Sequence, residues 1–354
     1  MFKNIEQLTI GYEDMLQWVK EIFLTSGMNA EDAFYCAENL VMSDLRTVYS
    51  HGVMRVPIYY KRLRTGCTSA TGEVEIVRNH GAIARISGNN AMGQVVGVKA
   101  MKIAIEKAKE YGVGFVSVGQ SNHYGFAAYF SMMALSDGMI GITGTIGSTR
   151  NIAPWGGIEP LLGNNPFSTA IPAYHRYPIV MDMANSVVAR GKIVMARKLK
   201  QPIPETWALG RDGKPTTDAE EAYWGTLMPV GGHKGYGLTV ITGLISALLS
   251  ESTFGVDVTD LYEEFETAQN VGHYMQAIDI AAFTDPVKFG KQVDEFIEQM
   301  KSSRKRGGVD EIYMPGELEA IAARKQKSEG ISYPIDVIKE LRSLSKEVGV
   351  EPYL

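Results

Sequence analysis

Apolar residues recur every three or four positions early in the chain, which is the spacing of helices that pack one face on a core. This pattern predicts a helix over Ser26–Arg46, with Asn29 or Ala30 preceding two acidic residues of its first turn. A second helical segment is predicted over Gly52–Gly66. The segment Ser50–Gly52 falls at the junction, where side chains can converge on a ligand without disturbing a core.

Further along, short runs rich in β-branched residues alternate with helical patterns. The runs "VGFVSVGQ", "MIGITGT" and "PIVMDMA" are strand-like, and a helix is predicted over Gly93–Gly112. This alternation is typical of an α/β protein with a mixed sheet. The most apolar run, Gly237–Ser250, is too short to cross a bilayer of about 30 Å and predicts a buried helix.

Composition narrows the kind of partner. The 354 residues carry a formal net charge of −5, which gives no general attraction to nucleic acid or anionic membranes and favours small-molecule chemistry. Cys36 and Cys67 have no Cys or His at metal-ligand spacing, so neither a disulfide framework nor a metal site is predicted. Acidic residues interrupt the N-terminal apolar residues, so we expect no secretory signal and a cytoplasmic location.

Two glycine-rich segments are candidates for a nucleotide-binding loop. Gly112-Val113-Gly114 begins a near match to the dinucleotide fingerprint, but Ser117 replaces the third glycine and a helix precedes the motif instead of following it. We therefore predict that Gly112 is a helix C-cap. The other segment, Gly231–Gly237, precedes an apolar helix and carries Lys234, so it suits an anion, although an ordinary flexible loop explains it equally well.

Two loops combine histidine with a hydroxyl and a glycine. "YSHGVMRV" contains His51 and Arg55, and "SNHYGFAAY" contains His123. An imidazole can transfer a proton, and a guanidinium can bind a carboxylate through two parallel hydrogen bonds. We assign the remaining four histidines mainly to turns or to the surface: His80, His175, His233 and His273.

The motifs "SHGVMR", "SNHYGFAAYF", "APWGG", "GNNPFSTAIP", "MDMANSVVARGK", "GGHKGYGL" and "DEIYMPGE" together resemble the malate/L-lactate dehydrogenase family. The resemblance implies NAD(P)-dependent interconversion of a 2-hydroxyacid and a 2-oxoacid on a nucleotide-binding fold that is not Rossmann. It also implies a homodimer with the active site near the subunit contact. We expect a helical N-terminal region (1–72), an NAD(P)-binding and catalytic domain (73–315), and a C-terminal helical region (316–354) that packs back on the first.

The family's site residues map onto this chain one by one. Arg55 falls on the substrate arginine, and His51 resembles the imidazole that donates a proton in some members, with Ser50 beside it and Asp182 as its orienter. His123 matches the acid/base of ureidoglycolate dehydrogenases, so two histidines compete for one role, and His51 is our first choice. Asn165 is expected in the wall of the substrate pocket, or only in a rigid bend.

The resemblance places the cofactor, NAD or NADP, on Ser148, Asp182, Met183, Ala184, Lys234, Gly235, Gly308, Val309 and Asp310. One departure concerns the substrate, because ureidoglycolate members carry an arginine where this chain has Gln269. That departure favours malate, lactate or a related acid. Reduction of a cyclic imino acid such as piperideine-2-carboxylate, or of a diketo sugar acid, is the alternative activity, and a nucleotide-binding regulatory protein is the non-enzymatic one.

Overall fold

The computed structural model describes residues 6–353. Its helices are Tyr12–Leu24 (α1), Ala30–Leu45 (α2), Val56–Thr65 (α3), Gly93–Tyr111 (α4), Ala128–Met133 (α5), Arg190–Lys198 (α6), Ala219–Trp224 (α7), His233–Leu248 (α8), Pro286–Lys301 (α9), Glu317–Glu329 (α10) and Ile335–Val348 (α11). Its strands are Gln7–Ile10 (β1), Glu75–His80 (β2), Ile83–Ser87 (β3), Val113–Ser121 (β4), Met139–Thr145 (β5), Phe167–Ile171 (β6), Ile179–Met183 (β7), Ala208–Leu209 (β8), Thr226–Leu227 (β9), Val271–Asp279 (β10) and Ile331–Pro334 (β11).

The predicted helix boundaries are confirmed where the sequence carries capping residues. The side chain of Asn29 accepts hydrogen bonds from the backbone of Glu31 and Asp32, which satisfies two free N–H groups at the start of α2. Gly112 ends α4 with φ of 80°, a left-handed conformation that favours glycine. Gly112 is therefore a helix C-cap and not part of a dinucleotide fingerprint.

The central sheet has seven strands in the order β2-β3-β4-β10-β5-β6-β7. β3 and β4 pair in parallel, and the other pairs in this sheet are antiparallel. The predicted mixed α/β sheet is confirmed, and it differs from the parallel sheet of a Rossmann fold. Because β10 is antiparallel to both β4 and β5, and β6 to both β5 and β7, the carboxyl ends of β4, β5 and β7 share one edge.

The two ends of the described chain form one hydrophobic core. β1 pairs with β11 along its whole length, and the indole N–H of Trp18 donates to the buried Ser345 hydroxyl at 2.6 Å. Helices α1, α2, α3 and α11 surround this core. A second core lies between the sheet and helices α4 and α5. The domain boundaries at residues 72 and 315 stay predictions.

Helix α8 corrects one expectation. The apolar run does form a helix, but the prediction that it is buried is wrong for one face, since Leu238, Ile241, Leu248 and Leu249 are exposed. Periodicity could not show this, because the run is apolar on all sides. No helix within residues 6–353 is long and apolar enough to cross a membrane.

Candidate active site

A cavity of about 810 Å³ opens where β4, β5 and β7 end, between the sheet and the N-terminal helices. Its size suits a small ligand or cofactor. Eight residues predicted from the sequence line it: Ser50, His51, Arg55, His123, Ser148, Asp182, Met183 and Ala184. Segments about 130 positions apart in sequence therefore meet at one place.

The turn between α2 and α3 brings His51 and Arg55 to the cavity. Two short 3-10 turns connect the helices, and Gly52 lies between them. Asp44 at the end of α2 accepts the backbone N–H of Val53 at 2.8 Å. A Cβ atom at Gly52 would lie 1.8 Å from an Asp44 carboxylate oxygen, so only glycine fits at this position.

Arg55 is a partly buried cation that forms no ion pair with a carboxylate of residues 6–353. Its Nε donates to the backbone oxygen of Ser50 at 2.7 Å, and its guanidinium lies over the Tyr262 ring, 5.0 Å from the centroid. No carboxylate within residues 6–353 lies at ion-pair distance from it, and burial lowers its pKa below the ordinary value. The terminal guanidinium nitrogens are thus available to an anionic ligand.

The two predicted catalytic histidines lie side by side. Their rings are stacked with centroids 5.6 Å apart and an angle of 16°. Burial, followed by the charge of Arg55, lowers the pKa of His51 to about 3. Burial, followed by His51 and Arg55, also lowers the pKa of His123 well below its ordinary value. Both imidazoles are therefore neutral near pH 7 in the free protein.

The two rings have different hydrogen-bond partners. Nδ1 of His51 contacts the Ser50 hydroxyl at 2.9 Å. Nδ1 of His123 contacts the Tyr59 hydroxyl at 2.6 Å and accepts from the backbone N–H of Gly125 at 3.3 Å. The backbone N–H of His123 donates to the Gln269 side chain at 3.1 Å. These contacts fix the direction in which each ring faces the cavity.

Asp182 lines the cavity but does not contact His51 within the described chain. Its carboxylate accepts the backbone N–H of Ala128 at 2.8 Å, whereas the partner of His51 is Ser50. Although water reaches Asp182 through the cavity, the surrounding walls desolvate it and raise its pKa to about 6, against the smaller opposing effects of Ala128 and Arg46. No direct contact within residues 6–353 therefore supports the expected role of Asp182 in orienting the His51 ring.

The residues at one end of the cavity fit a bound cofactor. The Ser148 hydroxyl is buried at the wall and has no hydrogen-bond partner among residues 6–353, as expected for a group that binds a ligand. Asp182, Met183 and Ala184 border the same space. The other cofactor residues predicted from the sequence lie outside this cavity lining: Lys234, Gly235, Gly308, Val309 and Asp310.

The structure also defines the surroundings of Asn165 and His273. Asn165 does not line the cavity. Its side-chain amide accepts a hydrogen bond from the backbone N–H of Gly147 and donates one to the backbone oxygen of Thr239, so few of its polar groups remain for a substrate. His273 is completely buried in β10, so its assignment to a turn or the surface is wrong. Its ring binds the hydroxyls of Ser121 and Thr145 at 2.9 and 2.7 Å, which satisfies both nitrogens without water.

Several cavity-side residues were missed. Tyr59 follows Arg55 by one helical turn, so its spacing could have revealed it. Tyr262 comes from the loop before β10, where no periodic signal exists. Arg46 also lines the cavity. Among residues 6–353, no cluster of three or more His, Cys, Asp or Glu side chains could hold a metal ion.

Known proteins resemble this chain along nearly its whole length. A sequence model of the malate/L-lactate dehydrogenase family matches residues 10–342. The chain is 39% identical to a malate dehydrogenase of Pyrococcus horikoshii, over 97% of this chain and 96% of that one. It is 38% identical to an L-sulfolactate dehydrogenase of Methanothermobacter thermautotrophicus, over 97% and 98% of the two chains.

A solved structure extends the likeness to three dimensions. The sulfolactate dehydrogenase of Methanocaldococcus jannaschii superposes with a TM-score of 0.91 at 36% identity, covering 97% of this chain and 98% of that one. The match includes the N-terminal helices, the sheet and most of the C-terminal region. The chain therefore belongs to the malate/L-lactate dehydrogenase family.

Proposed function

We propose that the protein is an NAD(P)-dependent dehydrogenase that interconverts a 2-hydroxyacid and a 2-oxoacid. The observation that carries the proposal is Arg55, a partly buried cation without a counter-ion, beside two neutral imidazoles in one cavity. A planar guanidinium binds a carboxylate through two parallel hydrogen bonds and thereby orients the neighbouring carbonyl group. The relatives named above as malate and sulfolactate dehydrogenases support the same substrate class.

The cofactor would lie at the end of the cavity formed by Ser148 and the segment 182–184. When bound, NAD(P)H supplies the hydride that reduces the carbonyl carbon. Ser148 offers an unpaired hydroxyl at that end. The protein's own task is then to hold the substrate carboxylate on Arg55 and to deliver a proton to the oxygen that becomes an alkoxide.

The partners of the two histidines favour His51 as the proton donor. The Ser50 hydroxyl can either donate to Nδ1 of His51 or accept from it, so this ring can carry one proton or two. Nδ1 of His123 faces a backbone N–H of Gly125, which can only donate. An imidazolium at His123 would bring two N–H groups together, so His123 suits the role of a neutral hydrogen-bond donor to the carbonyl oxygen.

The residue that replaces the arginine of ureidoglycolate members does not reach the substrate. Gln269 is completely buried, accepts from the backbone of His123 and donates to the backbone of Thr259. The amide oxygen and nitrogen of Gln269 therefore already form hydrogen bonds within the protein. This supports malate, lactate or sulfolactate chemistry over ureidoglycolate.

A substrate panel tests the proposal. Oxaloacetate, pyruvate, sulfopyruvate and piperideine-2-carboxylate are each assayed with NADH and with NADPH by loss of nicotinamide absorbance. We expect at least one 2-oxoacid to give the highest kcat/KM. A higher kcat/KM for the cyclic imine than for every 2-oxoacid would overturn the proposed substrate class, and the same panel decides between NAD and NADP.

Binding of an unreactive 2-oxoacid analogue should take up a proton. The pKa of His51 is about 3 in the free site, because of burial and then Arg55. A carboxylate on Arg55 offsets that positive charge, so the pKa of His51 rises, and oxamate should bind more tightly as pH falls toward the raised pKa of the complex. Calorimetry of oxamate binding to the NADH complex, in two buffers of different ionisation enthalpy, measures the proton count. Uptake that is absent, or that persists in His51→Gln, would contradict the assignment.

We also propose that two copies of this chain form a dimer through the exposed face of α8. Leu238, Ile241 and Leu248 of this helix, with Leu249 directly after it, form an exposed apolar surface, and such surfaces are typical of protein contacts. Ile241→Glu should therefore shift the protein from dimer to monomer in light scattering after gel filtration. Gln299→Glu, which adds the same charge on the exposed side of α9, should leave the mass unchanged. A wild-type monomer, or a dimer unaffected by Ile241→Glu, would contradict this interface.

A further inference from the structure

The hydrogen bonds at His123 determine which ring nitrogen carries the hydrogen. The backbone N–H of Gly125 donates to Nδ1 at 3.3 Å, so Nδ1 must be an unprotonated acceptor. The Tyr59 hydroxyl lies 2.6 Å from the same nitrogen, and it must then donate as well. In a neutral imidazole with an unprotonated Nδ1, the hydrogen is on Nε2. Nε2 is also the nitrogen left for a ligand in the cavity.

Tyr59 is buried in a position from which its hydroxyl can donate a hydrogen bond to Nδ1 of His123. It is 2% exposed and lies near the start of α3, four positions after Arg55, which is the N-cap of this helix, so the start of α3 brings together the carboxylate-binding group and the partner of His123. Burial raises the pKa of the phenol above its ordinary value, and the nearby charge of Arg55 and the amide of Gln94 oppose this only in part. The hydroxyl therefore keeps its proton and acts as a hydrogen-bond donor.

We propose that Tyr59 is a positioning residue that holds His123 in the neutral tautomer with hydrogen on Nε2. The inference rests on the proposed function in one respect, since Nε2–H would face the substrate carbonyl oxygen. Two donors at Nδ1 also oppose a second proton on the ring. Tyr59 thus separates the tasks of two adjacent histidines, so that His123 donates a hydrogen bond and His51 transfers the proton.

The charges around His123 act in the same direction. The titratable groups that influence it come from four elements: His51 from the first 3-10 turn, Arg55 from the second 3-10 turn, Arg62 from α3, and His273 from β10. Each of them, when charged, disfavours an imidazolium at His123. Removing the Tyr59 hydroxyl would leave these charges in place, so its own effect can be measured separately.

Nuclear magnetic resonance tests the proposal without a substrate. Long-range proton–nitrogen correlation on protein labelled with ¹⁵N-histidine distinguishes the two neutral tautomers from imidazolium, and the signal lost in His123→Gln identifies His123. We expect hydrogen on Nε2 alone in the wild type. In Tyr59→Phe, the Nδ1–H form should become detectable and the His123 pKa should rise by about one unit, the ordinary effect of one hydrogen bond.

Steady-state kinetics links the tautomer to the reaction. Tyr59→Phe should lower kcat/KM by up to about tenfold and in the same way as His123→Gln, through a raised KM or a smaller loss of kcat, because Tyr59 acts through His123 and the carboxylate contact of Arg55 is untouched. Tyr60→Phe is the matched control, since Tyr60 is the next residue of α3, equally buried, with its hydroxyl 2.9 Å from Thr25. We expect it to leave kcat within twofold of wild type.

Two results would overturn the proposal. One is a wild-type His123 with hydrogen on Nδ1, and the other is a Tyr59→Phe protein whose His123 tautomer and pKa match the wild type. Because these readings need no turnover, they stand even if the substrate panel assigns a different reaction. If Tyr59→Phe changes the His123 tautomer but leaves kcat/KM unchanged, Tyr59 contacts His123 without positioning it for the reaction.

Discussion

Replacing His51 with glutamine is expected to lower kcat by about 10² to 10⁴, the usual share of general acid/base catalysis. Glutamine keeps a polar side chain of similar length but cannot transfer the proton that the alkoxide needs. Cofactor affinity should be nearly unchanged, because the predicted cofactor residues Ser148 and the segment 182–184 lie at another part of the cavity wall. Single-turnover reduction at several pH values, combined with cofactor titration, measures both effects.

The comparison variant is His123→Gln. A neutral hydrogen-bond donor contributes less than a proton donor, so this change should chiefly raise KM or cause a smaller loss of kcat. Removal of the proton donor should also abolish the ionisation that controls the chemical step. If that ionisation survives in His51→Gln and disappears in His123→Gln, the two roles must be exchanged.

Arg55→Lys should lower kcat/KM about thirtyfold, which corresponds to about 2 kcal/mol of lost transition-state binding. Lysine keeps the charge, but an ammonium cannot form two parallel hydrogen bonds to a carboxylate. It also cannot reproduce the contact of Nε with the Ser50 backbone oxygen, which fixes the guanidinium plane. Steady-state kinetics with the best 2-oxoacid gives the value.

A control for Arg55→Lys is available on α3, the helix that Arg55 precedes. Arg64 is exposed and pairs with Glu347 at 2.7 Å, so Arg64→Lys should leave kcat/KM close to wild type. Near wild-type kcat/KM in a folded Arg55→Lys protein would remove Arg55 from the substrate site.

Much of the fold could be predicted because local chemistry dictates it. Asn29 caps α2 and Gly112 ends α4 through interactions within a few residues, so the sequence alone identifies both. The exposure of Ile241 and the burial of His273 depend on what packs against each residue from elsewhere in the chain. Local patterns carry no information about such distant neighbours.

In the candidate site, too, short motifs predict some residues, whereas other contacts depend on parts of the chain that are distant in sequence. His51, Arg55 and His123 could be predicted from short motifs, and the structure brings all three to one cavity. The contact between Tyr59 and His123 spans 64 positions, so it appears only once α3 is placed beside the end of β4. The motif around Asn165 left a pocket wall and a rigid bend open, and only the fold shows that its amide binds backbone groups of Gly147 and Thr239.

The pairing of β1 with β11 also sets the order in which a growing chain can complete its parts. The strands of the central sheet are all present once Asp279 has been made, but the N-terminal helices gain their last partners only beyond Ile331. Until then part of the apolar surface around Trp18 stays uncovered, and such surface favours aggregation of the unfinished chain. A chain that stops before α11 would therefore build the sheet without a firm position for the turn that carries His51 and Arg55.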